Sequence, residues 1–544
     1  MRTRSLLLAL FAVLLVARDA SAQTEPTPVA PPPPLNEGDR TAAPAPASSP
    51  APAQPMVALP VAATSPVAPA SLALVPAEPL AGYTNGSFFV RDPHNWFVFF
   101  PRARLQIDAY TFLNRGSAPE DIPAGADPNS SKDPRPKDTI FVRRARAEFQ
   151  GTVIGHFDFH IAAEYASTPA TGSTGIVSDA YIIVDYLSYL KVQAGQFDAP
   201  FTMENRTSDK YIDFMERSLT VRSFAVPGNK DQGAMVFGWL PKHFAYYSFG
   251  VFNGDGQSFK NQDSHPALIG RAFVAPLAFM GRKYRWLEDL WVGGSIWWKR
   301  SVNEGGAAGA NVTGAAQNDI ASMSTQGGFG FFSTNYGNGT DAANNAIRSH
   351  LAPWGNTLKW AVEANVPLWK FIGARFELVH QSIEFARYDD TNTINATLVR
   401  AAGQRGGKLD GTAYYLELYG WILGDMSMIE TPGLEPAPRY TRFNDTKKPR
   451  WGLMVAAKYE HVGFDVSGLN GTTNAMGAAV ADPASGHYSV HAFELGLNAW
   501  GTKHVRLSAN YVLNYIDGDS SQVKKNYFFQ RPEHELLFRI GINL

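Results

Sequence analysis

The chain has 544 residues, 18% charged and 12% aromatic, with 48 glycines, no cysteine, and 48 basic against 49 acidic residues. The missing cysteine excludes disulfide frameworks, thiol catalysis and cysteine-ligated metals, and the charge balance excludes a nucleic-acid partner and any global attraction for anions. A soluble protein of this length usually splits into several domains, so a single repetitive architecture needs positive support from the pattern of the chain.

Arg2 and Arg4 precede the apolar run Leu6 to Val16, and Ala20-Ser21-Ala22 supplies the small residues of a signal-peptidase site. Residues 1–22 therefore read as a cleaved export signal, its run of about eleven residues being too short to anchor in a bilayer. Later apolar stretches are broken before the roughly 18 residues that a transmembrane helix needs. Without residues 1–22 the chain keeps 45 basic and 48 acidic residues, so any preference for one sign of solute has to come from local placement. Residues 23–81 are dominated by Pro, Ala, Val and Ser, as in Pro31-Pro32-Pro33-Pro34. Proline at this density forbids helix and sheet and favours an extended polyproline II spacer.

From Arg102 onward the period is two. Ala103, Leu105, Ile107 and Ala109 alternate with Arg104, Gln106, Asp108 and Tyr110; Phe157, Phe159, Ile161 and Ala163 alternate with His156, Asp158, His160 and Glu164; Trp360, Val362, Ala364 and Val366 alternate with Lys359, Glu363 and Asn365. Successive strand side chains point to opposite faces, so each segment has one apolar and one polar wall. Soluble sandwiches alternate in the same way, and the breaks decide. Short turns at 240–243, 368–370 and 500–504 alternate with long polar loops at about 114–138, 198–231, 254–266, 301–356, 384–410, 465–487 and 516–531. Short on one end and long on the other is the pattern of an outer-membrane barrel, and sandwiches rarely carry so many long loops.

The expected fold is all-β: a transmembrane antiparallel up-and-down β-barrel over 82–544 with about sixteen strands of roughly ten residues. Aromatic groups at Trp96 to Phe100, Trp297-Trp298, Tyr414-Tyr415 and Phe528-Phe529 suit interfacial girdles. At the C-terminus Leu536, Phe538, Ile540, Ile542 and Leu544 alternate with Leu537, Arg539, Gly541 and Asn543, a strand fit to close a barrel. A barrel in the Gram-negative outer membrane places residues 23–81 in the periplasm as a linker and makes lipid and lipopolysaccharide its surroundings.

Between residues 139 and 240 the sequence resembles the phosphate-selective porin family, the porin O and porin P group. The resemblance is carried by Phe141-Val142-Arg143-Arg144-Ala145-Arg146-Ala147-Glu148, Gly195-Gln196-Phe197-Asp198-Ala199-Pro200-Phe201, Phe214-Met215-Glu216-Arg217-Ser218 and Pro227-Gly228-Asn229-Lys230-Asp231-Gln232-Gly233. It continues in Trp421-Ile422-Leu423-Gly424-Asp425 and, after a long turn, Trp451-Gly452. It implies a sixteen-stranded homotrimeric channel for small anionic solutes such as phosphate, with loops folded into the lumen and cations along the path. A narrow, low-dielectric pore strengthens such cations. The candidate pathway residues are Arg102, Arg104, Arg144 and Arg146 on polar strand faces and Lys210, Arg217, Arg222 and Lys230 in the loop 198–231, the expected constriction. The same arginines are able to serve instead as structural partners of lumen carboxylates. That loop also carries Asp198, Glu204, Asp209, Asp213, Glu216 and Asp231, so its five basic residues, Arg206 among them, meet six acidic ones. This departs from a lysine-rich trap and keeps a general-diffusion pore open as an alternative. Arg143 falls on the apolar face, where mid-membrane exposure costs about 2–4 kcal/mol. It is therefore expected near the outer rim or redirected by a bulge.

No catalytic or metal site and no cofactor is expected. His156, Asp158 and His160 lie about 6.7 Å apart in steps of two, too far for one strand to give two ligands to one ion, and read as lumen lining. Gly403, Gly406 and Gly407 before Lys408 lack the spacing of a phosphate loop, and neither a Gly-x-Ser-x-Gly elbow nor a His-Glu-x-x-His helix occurs. His504 and Ser508 on one strand face are the one hint of a barrel hydrolase; a surface adhesin is the non-transporting alternative.

Overall fold

The computed structural model describes residues 79–113 (less 85–86), 138–166, 176–258 (less 227), 261, 265–278, 287, 289–301, 320–340, 346–390, 396–399, 406–425, 432–434, 451–468, 484–519 and 532–544. The expected export signal 1–22 and the linker as far as residue 78 lie outside the described residues. The polar and apolar alternation produces sixteen antiparallel strands. They are β1 Phe97–Phe112, β2 Thr139–Val153, β3 Phe157–Glu164, β4 Ile176–Leu187, β5 Leu190–Asp198, β6 Lys230–Trp239, β7 Ala245–Phe252 and β8 Ala267–Val274. The second half comprises β9 Trp291–Ser301, β10 Ala346–Trp369, β11 Ile372–Asp390, β12 Gly407–Leu423, β13 Gly452–Ser467, β14 Gly486–Thr502, β15 Val505–Gly518 and β16 Glu533–Asn543. Each strand pairs with the next, and β16 returns to β1 from Glu535 opposite Phe112 to Asn543 opposite Arg104, so the sheet is closed.

Every backbone group of a strand in such a ring finds a partner, which is what allows strands to cross a membrane. Leu105, Phe149, Ile182, Phe249, Leu495 and Ile540 are all exposed at 41–57% and face outward around the ring. So many large apolar side chains turned away from the core form the lipid-facing belt of a barrel. A hairpin, Ala81–Thr84 with Ser87–Arg91, extends the wall beside the C-terminal strand, placing Val90 opposite Phe99 and Arg91 opposite Val98. It begins at Ala81, the last residue assigned to the linker.

Four expectations change in detail. The loops expected at 301–356 and 384–410 are shorter, because β10 and β11 stay paired as far as Arg348 opposite Asp390; alternation fades there once the strands leave lipid. The long turn expected between Asp425 and Trp451 falls at the end where the short turns lie, and Gly433 within it reaches the lumen, its N–H donating to Thr207 Oγ1 (2.8 Å). In the pairs Trp297-Trp298 and Tyr414-Tyr415 the strand period sends Trp297 and Tyr415 inward to burial, so Trp298 and Tyr414 alone remain for a girdle. Phe528-Phe529 lies outside the described residues.

The fourth change is a phase flip in β2. Gln106 pairs with Arg144 but Ile107 with Val142, leaving Arg143 as the extra residue of a bulge. A one-residue slip reverses every side chain beyond it. Ile140 and Val142 accordingly face lipid, while Phe141, expected outward, packs edge-on to the buried Tyr110 at 5.1 Å between centroids. Arg143 itself turns inward and makes two hydrogen bonds to Glu216, at 2.8 and 2.9 Å.

Candidate functional site

The connection between β5 and β6, residues 199–229, folds into the barrel rather than over it. Apolar side chains hold one part: the six-residue helix α1, Leu219–Phe224, buries Leu219, Val221 and Phe224, and the Ser218 hydroxyl caps it by accepting from the Val221 N–H (3.2 Å). Carboxylates hold the rest. Asp209 pairs with Arg104 of β1 and Arg144 of β2, Asp213 with Arg375 of β11, and Glu216 with Arg143 and with Arg539 of β16 (2.9 Å). The acids of this loop are therefore its anchors, and they reach opposite sides of the wall. Burial raises the Asp209 carboxyl, but Arg104, Arg144 and Arg146 outweigh it and hold it well below the usual carboxylate range; Arg143 does the same for Glu216.

Between the loop and β1–β6 lies a cavity of about 120 Å³. It takes in seven cations, Arg102, Arg104, Arg144, Arg146, Lys210, Arg217 and Lys230, against four carboxylates, Glu148, Asp179, Asp198 and Asp209. The lining thus has three positive charges in excess. A second bulge builds part of it: Ala162 pairs with Asp179 and Ala163 with Val177, so Ser178 is the extra residue and both Ser178 and Asp179 are buried. Gly195 of β5 has φ +132°, and a Cβ there would stand 2.1 Å from the Ala180 carbonyl oxygen. That close approach seats β4 beside β5; on the other side of β4, Tyr181 meets His160 of β3 at 3.0 Å.

Seven of the eight residues expected along the path line this cavity. Five of them are engaged by acids. Arg104 bonds to Glu148 (2.6 Å) besides Asp209, Arg144 pairs with Asp209, and Arg146 faces Glu164 (3.2 Å) and Asp179 (3.8 Å). Lys210 bonds to Glu148 (3.2 Å), and Lys230 bridges Asp179 (2.6 Å) and Asp198 (2.9 Å). Arg102 and Arg217 differ, being held by neutral acceptors. Arg102 donates to the Ser87 hydroxyl (3.0 Å) in the N-terminal hairpin, and Arg217 to the carbonyls of Glu204 (3.3 Å) and Thr207 (2.9 Å). Burial pushes the Lys210 ammonium down to about 8, against the pull of Glu148. Arg222 is the exception: it points away from the cavity to the Thr325 carbonyl (2.8 Å) and the Ser324 hydroxyl (3.1 Å).

Other sequence features fall elsewhere. His160 lines the cavity, but His156 precedes β3 and stacks at 4.3 Å on Tyr186, whose side chain faces outward. Ser508 donates to Asn498 (2.8 Å) while His504 sits against Tyr83 (2.6 Å), so the two do not pair as nucleophile and base. Sequence reasoning did not anticipate the row of buried carboxylates across the barrel: Glu363, Glu377, Glu417, Glu460, Glu494 and Glu535. Each occupies an inward phase of its strand, as Glu363 beside Lys359 already suggests, but only the register places them on one wall.

Residues 124–327 match the family model of the phosphate-selective porins O and P. Comparison with curated protein sequences returns no match. Among solved structures, OmpT of Vibrio cholerae aligns at 9% identity and TM-score 0.44, covering 84% of this chain and 100% of its own. An anion-selective porin from Comamonas acidovorans aligns at 9% identity and TM-score 0.41, covering 82% and 100%. The outer-membrane channel DcaP of Acinetobacter baumannii aligns at 10% identity and TM-score 0.41, covering 82% and 97%.

Proposed function

We propose that this β-barrel, matched over residues 124–327 by the family model of the phosphate-selective porins O and P, is an outer-membrane diffusion channel that prefers small anions, inorganic phosphate among them. The observation that carries the reading is the excess of cations in the cavity beside the inserted loop, with Arg102 and Arg217 hydrogen-bonded, among the described residues, to neutral acceptors. A cation whose partner is a hydroxyl or carbonyl keeps its full charge for a passing ion. Low-dielectric walls strengthen that charge. The five acid-paired cations favour modest discrimination among anions over a tight phosphate trap.

The same reading makes residues 1–22 a cleaved export signal, residues 23–81 a periplasmic linker, and the working unit a homotrimer surrounded by lipid and lipopolysaccharide. Planar-bilayer recordings in a salt gradient test it. The native channel should give a reversal potential of anionic sign, and R102Q/R217Q should lower the anion-to-cation permeability ratio while heat-dependent gel mobility stays native. Phosphate should block chloride current in the native channel and less in the double variant. A cation-selective native channel would refute the proposal.

A further inference from the structure

The connection between β9 and β10 also enters the barrel, as a small hairpin of Met323–Ser324 paired with Gly330–Phe332. Aromatic packing seats it on β13 and β14. Phe332 lies 5.2 Å from Phe464 of β13 and 5.1 Å from Tyr488 of β14, with Met323, Phe329 and Phe331 buried beside it. Its tip then meets the acidic row. The Gln326 amide donates to Glu460 (2.9 Å) and to Glu494; the Thr325 hydroxyl (2.5 Å) and the Gly327 N–H (2.8 Å) donate to Glu535. Arg222 stitches the tip to the first loop.

Neutral donors, not cations, are what the hairpin brings to this wall. Lys458 lies within 3.0 Å of Glu460 and 3.3 Å of Glu494, one ammonium between two carboxylates. For Glu535 the partners given by the hairpin are a hydroxyl and a backbone amide. The approach depends on glycine: a Cβ at residue 327 would stand 2.9 Å from the Glu535 carboxylate and 2.8 Å from Phe112. An exposed row of carboxylates in a wide lumen would concentrate cations and carry them. Covered by the hairpin and hydrogen-bonded to it, Glu460, Glu494 and Glu535 are out of reach of a hydrated cation.

We propose that the hairpin 323–332 is the cation-excluding element of this channel: it caps the acidic wall formed by Glu460, Glu494 and Glu535, so that solute passes on the cationic side. The proposal rests on the anion-preferring reading above. Gln326, Thr325 and Gly327 are its specificity-determining residues.

The test compares single-channel conductance and reversal potential in KCl for the full-length native protein, for T325V/Q326A, for G327V, and for a variant with residues 323–332 replaced by ten Gly and Ser residues. Folding is checked by heat-dependent mobility, and the point variants carry the test should the replacement not fold. Uncapping should raise conductance at least twofold and lower the anion-to-cation permeability ratio at least threefold. R102Q/R217Q should lower the ratio without raising conductance. If the native channel is anion-selective and all the folded hairpin variants keep its conductance and reversal potential, the cap is refuted and the anion reading stands. If the native channel has no anion preference but uncapping still shifts the reversal potential toward cations, the anion reading falls and the cap stands.

Discussion

Two stretches of the lumen wall, β1–β6 and β13–β16, are treated in opposite ways by what folds against them. Along β1–β6 the wall supplies arginines and the loop 199–229 supplies carboxylates, yet the cavity between them keeps three cations in excess. Along β13–β16 the wall supplies carboxylates, and the hairpin 323–332 answers with an amide, a hydroxyl and a backbone N–H. On one side charge is matched by charge and the surplus is left open to solute. On the other, Lys458 lies between Glu460 and Glu494, the hairpin adds neutral donors alone, and the carboxylates are buried. The polarity a solute meets is thus set by what the inserted segments bring as much as by the strands.

The largest expected effect comes from the point where the first loop crosses to the far wall. Arg375 is buried and holds both Asp213 of the loop and Glu417 of β12 (2.8 Å). Removing one partner of a buried ion pair leaves the other charge unmatched and typically costs about 3–5 kcal/mol. Arg375→Met should therefore lower the temperature at which the barrel loses its compact gel mobility and make conductance noisy as the loop detaches. A native melting temperature with quiet current would mean that Asp213 is not an anchor.

A smaller and opposite-sided effect sharpens the comparison. Asp209→Asn releases Arg104 and Arg144 from their shared carboxylate without emptying the site. A unit charge about 10 Å from a passing ion in a watery dielectric is worth about 0.4 kcal/mol, roughly twofold in partitioning. The variant should become more anion-selective by about that factor or more, read from the reversal potential. A shift toward cations would show that the loop had swung away and that Asp209 matters for structure alone.

Much of this was legible in the chain, for reasons that particular residues make plain. A period of two is unambiguous where one face meets lipid, so Leu105 and Ile107 fix the inward phase of Arg104 and Gln106 and with it the barrel wall. Arg143 was legible as a conflict, a charge on the apolar face, and the bulge resolves it; the phase flip that takes Phe141 inward was not, because a bulge leaves no mark in alternation until its register is known. The acids of the loop 199–229 could be counted but not assigned: Asp209, Asp213 and Glu216 find partners on β1, β2, β11 and β16, 73 to 323 positions away for the pairs Glu216–Arg143 and Glu216–Arg539. Arg222 was grouped with the pathway because it shares that loop, but α1 turns it toward Ser324. The acidic wall is a property of register across six strands, beyond the reach of any local pattern.

The smallest effect isolates one cation of the cavity by its proton. Burial brings the Lys210 ammonium from an ordinary 10.5 to about 8, so its charge is complete near pH 6.5 and largely gone by pH 9.5. The anion-to-cation permeability ratio should fall across that window by at most about twofold, one charge among seven being lost. The stability sign separates this from unfolding. Because the folded protein holds this proton less tightly than the unfolded chain does, the unfolded state binds more protons between about 8 and 10.5, and this group's contribution to stability rises with pH there. Heat-dependent mobility should therefore hold through the titration of Lys210. Lys210→Met should start at the lower ratio and be flat over the same window. A native channel whose selectivity is already flat from pH 6.5 to 9.5 would mean that Lys210 lies off the solute path.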